Sequence, residues 1–154
     1  MDKTNAMRQL DRKKAVYSVH SYEGGALSGT EVAAALGQDP ARVFKTLVTV
    51  AKSGGHYVFM IPVAAALDLK KAAAAVQEKA LSMLPQKELL PLTGYVHGGC
   101  SPIGMKKQFP TVLDASAAQY DTICFSAGRI GLQIEAAPSV LAAVVPLQTA
   151  EVTD

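Results

Sequence analysis

The chain has 154 residues and a mass of 16.1 kDa, enough for a single domain over residues 1–154 whose core needs neither disulfides nor metals to hold it. Hydrophobic residues at 49% and charged residues at 18% exclude a disordered or fibrous chain, and a net charge of +2 lacks the basic excess usual in nucleic-acid-binding domains. Two cysteines, Cys100 and Cys124, exclude a disulfide framework and a four-thiolate zinc site. They point to a reducing compartment. Residues 1–14 are charged and polar, without the apolar run of a targeting signal. The longest apolar stretch, Val58 to Leu67, is interrupted by Pro62 and is about half the roughly 20 residues of a membrane span. A cytoplasmic protein that does not enter the membrane is expected.

Thr4 to Lys14 places Met7 and Leu10 on helical spacing, with Thr4 or Asn5 as the cap. Ala15 to Tyr22 alternates as a strand. Ser28 opens a helix over Glu31–Leu36, which Gly37 stops, and Asp39-Pro40 begins a short turn through Arg42. Val43–Ala51 and His56–Val63 are joined by Ser53-Gly54-Gly55, a hairpin pattern. Asp68 caps a helix to Lys79, and Pro85–Leu90 forms a shorter one. A glycine-rich loop over Gly94–Gly104 follows. Strands are expected at Thr111–Leu113, Thr122–Ser126 and Leu132–Glu135, and a helix at Ser139–Val145 behind Pro138. Helices and hairpins interleave irregularly, which gives an α/β (α+β) fold: a mixed sheet or a partly closed barrel with helices outside.

Three segments hold residues that can do chemistry. Lys45 stands in a strand that is apolar on both faces, so it either snorkels out at the strand's start or enters a pocket to meet an anion or a carbonyl oxygen. Gly98-Gly99-Cys100-Ser101-Pro102-Ile103-Gly104 combines paired glycines with a fixed proline, a loop whose free N–H groups can cradle a carbonyl or an anion. It lacks the Gly-Lys-Ser/Thr of a phosphate loop. Ser126-Ala127-Gly128-Arg129-Ile130-Gly131-Leu132 places a hydroxyl at a strand end beside a turn. His97 and Cys100 sit three residues apart, but no third group is identifiable to orient them as nucleophile and base, and Cys124 reads as core. The three histidines show no metal-ligand spacing, so no metal and no cofactor is expected.

The ordered set of motifs resembles the YbaK/EbsC family of free-standing aminoacyl-tRNA deacylases, relatives of the editing domain of bacterial prolyl-tRNA synthetases. The residues that carry it are His20-Ser21-Tyr22-Glu23, Val43-Phe44-Lys45-Thr46-Leu47, Leu67-Asp68-Leu69-Lys70-Lys71, Thr93 through Gly104, and Ser126 through Leu132. It covers about Thr4 to Val145. The resemblance implies a mixed, partly closed β-barrel-like sheet with peripheral helices, and hydrolysis of mischarged tRNA, typically Cys-tRNA(Pro). It makes Lys45 the residue tied to activity, anchoring the 3′-terminal adenosine phosphate or the aminoacyl carbonyl. Gly98 and Gly99, held by Ser101 and Pro102, are expected around the ester, with Tyr22, Thr46 and Ser126 lining the pocket. Cys100 falls at the variable position of that glycine motif.

In the cysteine-specific branch the favoured route is attack by the substrate's own thiol, which needs no protein nucleophile. Two positions depart from the family pattern: Leu27 or Ser28 stands where an aromatic is expected, and Gln133 where an acidic residue is common. A deacylase for Ala-tRNA(Pro) that uses water, or a non-catalytic tRNA- or synthetase-binding module, are the alternatives. The implied partners are tRNA(Pro) and prolyl-tRNA synthetase. The first-helix cations Lys3, Arg8, Arg12, Lys13 and Lys14 read as a solvated face, while Lys70-Lys71 and Lys106-Lys107 are candidates to flank the pocket mouth.

Overall fold

A computed structural model describes residues 2–154. Its elements are α1 (Asn5–Arg12), β1 (Ser18–Ser21), α2 (Gly29–Ala35), β2 (Phe44–Ala51), β3 (His56–Pro62), α3 (Leu69–Ala75), β4 (Leu81–Met83), α4 (Leu89–Thr93), β5 (Thr111–Asp114), β6 (Ile123–Ser126), β7 (Leu132–Ala136), α5 (Pro138–Ala142) and β8 (Leu147–Ala150). Short 3-10 turns run over Pro40–Arg42, Gln86–Glu88 and Ala115–Gln119.

Caps written in the sequence set the helix starts. The Thr4 hydroxyl accepts from Met7 N and donates to Ala127 O at 2.6 Å, so it caps α1 and ties it to the end of β6. Ser28 and Glu31 form a reciprocal capping box on α2, and Asp68 accepts from Lys70 N and Lys71 N on α3. Helix α3 ends at Ala75, before the expected Lys79, because Gln77 turns to a φ of 60°.

The strands form two sheets, one five-stranded in the order β4-β2-β3-β5-β8 and one three-stranded in the order β1-β7-β6. The larger is mixed: β2 pairs antiparallel with β3 and β4, while β3–β5 and β5–β8 are parallel. A parallel bridge, Val43 to Cys124, joins the two sheets among the described residues, so the barrel-like arrangement is partly closed, as expected. The hairpin of β2 and β3 runs in full register from Phe44 opposite Pro62 to Val50 opposite His56.

Apolar residues on both faces of the large sheet explain its place. Phe44, Met60 and Leu113 join Met7, Leu10, Phe125 and Ile134 in the largest core cluster. Phe59, Ile61 and Val112 face the alanines of α3 on the other side. The small sheet is two-faced. Ile123, Phe125, Leu132 and Ile134 enter the core, and the period of two sends His20, Cys124, Ser126, Gln133 and Glu135 to the opposite face. That polar face turns toward the connection between α2 and β2.

Candidate functional site

The cavity of about 510 Å³ opens where β2 lacks a neighbour. Val43 O accepts from Val63 N and Ala51 N donates to Gly55 O, each at 2.8 Å, so the odd-numbered peptide groups of β2 face β3. The even-numbered groups face the opposite edge. There β4 pairs only with Thr49–Ala51, and Leu84 N closes on Val48 O at 3.0 Å. At the other end stands the bridge from Val43 to Cys124. Between these two points the edge of β2 around Thr46 is uncovered, and the cavity fills the gap between the two sheets.

Lys45 and Thr46 both line this space. Lys45 is half-buried, lies opposite Ile61 in the ladder, and makes no hydrogen bond or ion pair among the described residues. It borders the cavity near the start of the β2–β3 ladder. Among the described residues it is also the only one at the wall with a permanent charge. The Thr46 Oγ1 is buried and has no partner. A buried polar atom left unpaired is costly unless a ligand or water meets it. Tyr22, Gly98, Ser126 and Gln133 belong to the polar lining, together with Ser28, Gln86 and His97, and Leu27, Val32, Met83, Leu84 and Leu89 supply apolar surface.

The glycine loop contributes less of its backbone than the sequence suggests. Gly98 lines the wall at a φ of 86°, a conformation that favours glycine. Gly99, Ser101 and Pro102 do not line it. A side-chain carbon at Gly99 would come within 3.0 Å of Ile130 N, so this glycine lets the loop pack on the turn between β6 and β7. The fully buried Ser101 accepts from Ile103 N through Oγ at 3.3 Å. Pro102 O accepts from the Gln108 side chain at 3.5 Å. These three residues brace the loop from behind.

Cys100 and His97 both reach the cavity. Burial pushes the Cys100 thiol up to about 12, against a smaller opposing effect of the Thr93 hydroxyl. A thiol so held is protonated at neutral pH and is a poor nucleophile. Burial likewise raises Cys124, to about 11. Among the described residues, no three His, Cys, Asp or Glu side chains converge on one point. None of the paired lysines stands at the wall: Lys71 meets Glu151 and Thr153 O, Lys106 reaches Pro91 O, and Lys107 lies over the Phe109 ring.

A network behind the wall was not legible in the sequence. Glu135 accepts from Thr122 Oγ1 at 2.6 Å and from Arg42 Nη2 at 2.8 Å, and its other oxygen lies 2.8 Å from His20 Nε2. The Thr122 hydroxyl first, then His20 and Arg42, hold its carboxyl down to about 2. Two positions earlier, Gln133 exchanges two hydrogen bonds with Gln38. The only sequence signal for either pair is their alternation with core residues on β7.

Residues 24–142 match the model of the aminoacyl-tRNA editing domain family. The chain belongs to this family. It is 48% identical over 153 residues to an Enterococcus faecalis protein named "Putative Cys-tRNA(Pro)/Cys-tRNA(Cys) deacylase EbsC", covering 98% of this chain and 93% of that one. A crystal structure described as "a putative trans-editing enzyme for prolyl tRNA synthetase" superposes with a TM-score of 0.84 at 26% identity, over 97% of this chain and 92% of that one. The crystal structure of a hypothetical protein shares the fold alone, with a TM-score of 0.88 at 21% identity, over 98% of this chain and all 100% of the other. The resemblance carried by the motifs therefore holds, and this editing domain is a hydrolase of the deacylase type that takes aminoacyl-tRNA as substrate. Among the described residues no helix is long and apolar enough to cross a membrane.

Proposed function

We propose that this editing domain clears mischarged tRNA in the cytoplasm, acting first on Cys-tRNA(Pro). The observation that carries this reading is the uncovered edge of β2, where Lys45, without a hydrogen bond or ion pair among the described residues, and Thr46, whose buried hydroxyl has no partner, both border the cavity. An ester joined to a 3′-terminal nucleotide offers what these groups lack, a carbonyl oxygen and a phosphate. Lys45 anchors one of them as a point charge. Thr46, Ser126 and the backbone of Gly98 orient the aminoacyl end, and Tyr22 packs along it. Gly99, Ser101 and Pro102 act by holding the loop that carries Gly98.

The chemistry comes from the substrate. Its thiol sulfur attacks its own ester carbonyl, the bond from that carbon to the ribose oxygen breaks, and the ribose oxygen takes the thiol proton. The four-membered thiolactone so released is opened by water to free cysteine. Intramolecular attack gains a large effective concentration, so the site needs only to fold the substrate and hold its carbonyl. Cysteine and proline are close in size, so a synthetase pocket separates them poorly and a second site must remove the error. The whole chain works as one editing unit, and prolyl-tRNA synthetase presents the tRNA.

A second reading is favoured by Gln133, a neutral amide in the wall at a position where the family resemblance leads one to expect an acid in many cysteine-specific members. In it, the protein hydrolyses an alanyl or other small ester with water. Parallel deacylation of Cys-tRNA(Pro), Ala-tRNA(Pro) and Pro-tRNA(Pro) separates the two readings. Preferential loss of the cysteinyl ester supports the first, preferential loss of the alanyl ester supports the second, and binding without turnover contradicts both.

A further inference from the structure

We propose that the main chain of Thr46 holds the aminoacyl group by its α-amine and its ester carbonyl, as one residue of a strand pairs with another; the proposal rests on the deacylase reading above. Five consecutive residues of β2, Phe44 to Val48, line the cavity. A strand seen from one of its faces shows every second residue, so a run of five neighbours means that the cavity meets β2 edge-on. What it meets there is backbone. The even-numbered peptide groups of β2 point to this edge, and Thr46 has no ladder or bridge partner on it.

Both ends of this gap are fixed. The N–H of Val43 donates to Pro40 O at 3.3 Å and its C=O accepts from Val63 N at 2.8 Å. Its parallel bridge to Cys124 therefore runs through the peptide groups on either side of it, the Phe44 N–H included. At the other end Leu84 N donates to Val48 O at 3.0 Å. Four residue steps separate Phe44 from Val48, a span of about 13 Å. That length admits one added residue with its attachments and is too short for a peptide strand. An aminoacyl group joined to a nucleotide is an occupant of that size.

An aminoacyl ester carries the same atoms as a residue in a strand: an amine donor, Cα and a carbonyl acceptor. Opposite Thr46 its α-ammonium donates to Thr46 O, and Thr46 N–H donates to the ester carbonyl oxygen. These are the two bonds that a hydrogen-bonded antiparallel pair exchanges. The first meets the ammonium with a carbonyl, at a wall whose permanent charge, Lys45, is positive. The second strengthens during the reaction. As the thiol sulfur bonds to the carbonyl carbon, negative charge collects on the carbonyl oxygen against the N–H; as the bond to the ribose oxygen breaks, the carbonyl re-forms. A fixed backbone donor aimed at that developing charge stabilises the transition state. Lys45 is thereby left to anchor the 3′-terminal phosphate. Both Thr46 contacts go to atoms shared by every α-amino acid, so discrimination rests on the side chain whose thiol attacks.

The test uses the full chain and makes one change in the substrate and one in the protein. 3-Mercaptopropionyl-tRNA(Pro) keeps the ester and thiol of Cys-tRNA(Pro) and lacks the α-amine. In the protein, the peptide N–H of residue 46 is replaced by an ester oxygen, through the α-hydroxy acid that bears the threonine side chain, and melting curves check the fold. Each rate is divided by the spontaneous cleavage rate of the same ester, because the amine alters its intrinsic lability. Loss of the amine is expected to lower the corrected kcat/KM of the parent about tenfold or more, through KM. Loss of the N–H is expected to lower kcat on Cys-tRNA(Pro) about 100-fold, with KM little changed. Equal corrected rates on the two esters, or a folded backbone-ester protein with the parent's kcat, overturns the proposal while leaving the deacylase reading intact. Should the backbone-ester protein fail to fold, the comparison of the two esters decides alone. Absence of Cys-tRNA(Pro) hydrolysis by the unsubstituted protein overturns both.

Discussion

Arg42 and Glu135 are 93 positions apart in the chain and 2.8 Å apart in the fold. Arg42 ends the connection from α2, three residues before Lys45, and Glu135 lies on the polar face of the small sheet. Their ion pair, shared with Thr122 and His20, fastens the seam at which the two sheets meet and beside which the cavity opens. Gln38 and Gln133 repeat the arrangement one step nearer the cavity.

This seam gives stability a pH dependence of definite sign. The folded Glu135 carboxyl is held at about 2, against an ordinary value of 4.5. A carboxylate lowered in this way contributes fully above its unfolded value and loses its contribution as pH falls through the folded one. Glu135→Gln is expected to lower stability at pH 7 by about 1–2 kcal/mol, since the pair is partly solvated. Denaturant melts of both proteins between pH 7 and pH 2 should converge below about pH 4.5, and a constant gap across that range contradicts the assignment.

Thr46 separates binding from folding. Its Oγ1 is buried without a partner, so replacing the hydroxyl by a methyl removes an unmet polar group. Thr46→Val should be as stable as the parent, or more stable by up to about 1 kcal/mol. Its deacylation should nevertheless fall about tenfold or more. A variant that loses stability, or that keeps full activity, would place the hydroxyl in the fold and not in the site.

Gly99 makes the opposite prediction. A methyl there meets the backbone nitrogen of Ile130 at 3.0 Å, and backbone yields little. Gly99→Ala should lose about 1–3 kcal/mol of stability, with activity falling because Gly98 is displaced. Thermal melting against the parent checks it: equal melting points would show that the loop does not depend on this close approach.

The substrate's thiol has its own test. If it performs the attack, Ser-tRNA(Pro) should be cleaved at least about 100-fold more slowly than Cys-tRNA(Pro), since a hydroxyl is a far weaker nucleophile near neutral pH. Equal rates on the two esters, measured side by side, indicate water as the nucleophile.

What could be read from the sequence was whatever local chemistry dictates. Thr4, Ser28 and Asp68 cap helices by their own side chains, and the Gly54-Gly55 turn sets the β2–β3 register. Six of the nine residues expected at the site line the cavity: Lys45, Tyr22, Thr46, Gly98, Ser126 and Gln133. What could not be read depends on distant partners. β4 has only three residues before Leu84-Pro85, and β8, Leu-Gln-Thr-Ala, lacks apolar alternation; each is a strand because a neighbouring strand pairs with it. Without β4, Met83 cannot be placed at the cavity. Gln38, Arg42 and Glu135 are ordinary surface residues until the fold brings them together.

The central claim is that Lys45 and the uncovered edge of β2 form a site for hydrolysis of a mischarged aminoacyl ester. Its most direct test is deacylation of Cys-tRNA(Pro) by the purified protein and by Lys45→Ala, with melting curves to confirm that both fold. The account predicts rapid loss of the ester with the parent and a loss of activity of about 100-fold or more in the variant. Stability should change little, because Lys45 is partly exposed and makes no hydrogen bond or ion pair among the described residues. Undiminished hydrolysis by a folded Lys45→Ala protein would contradict it.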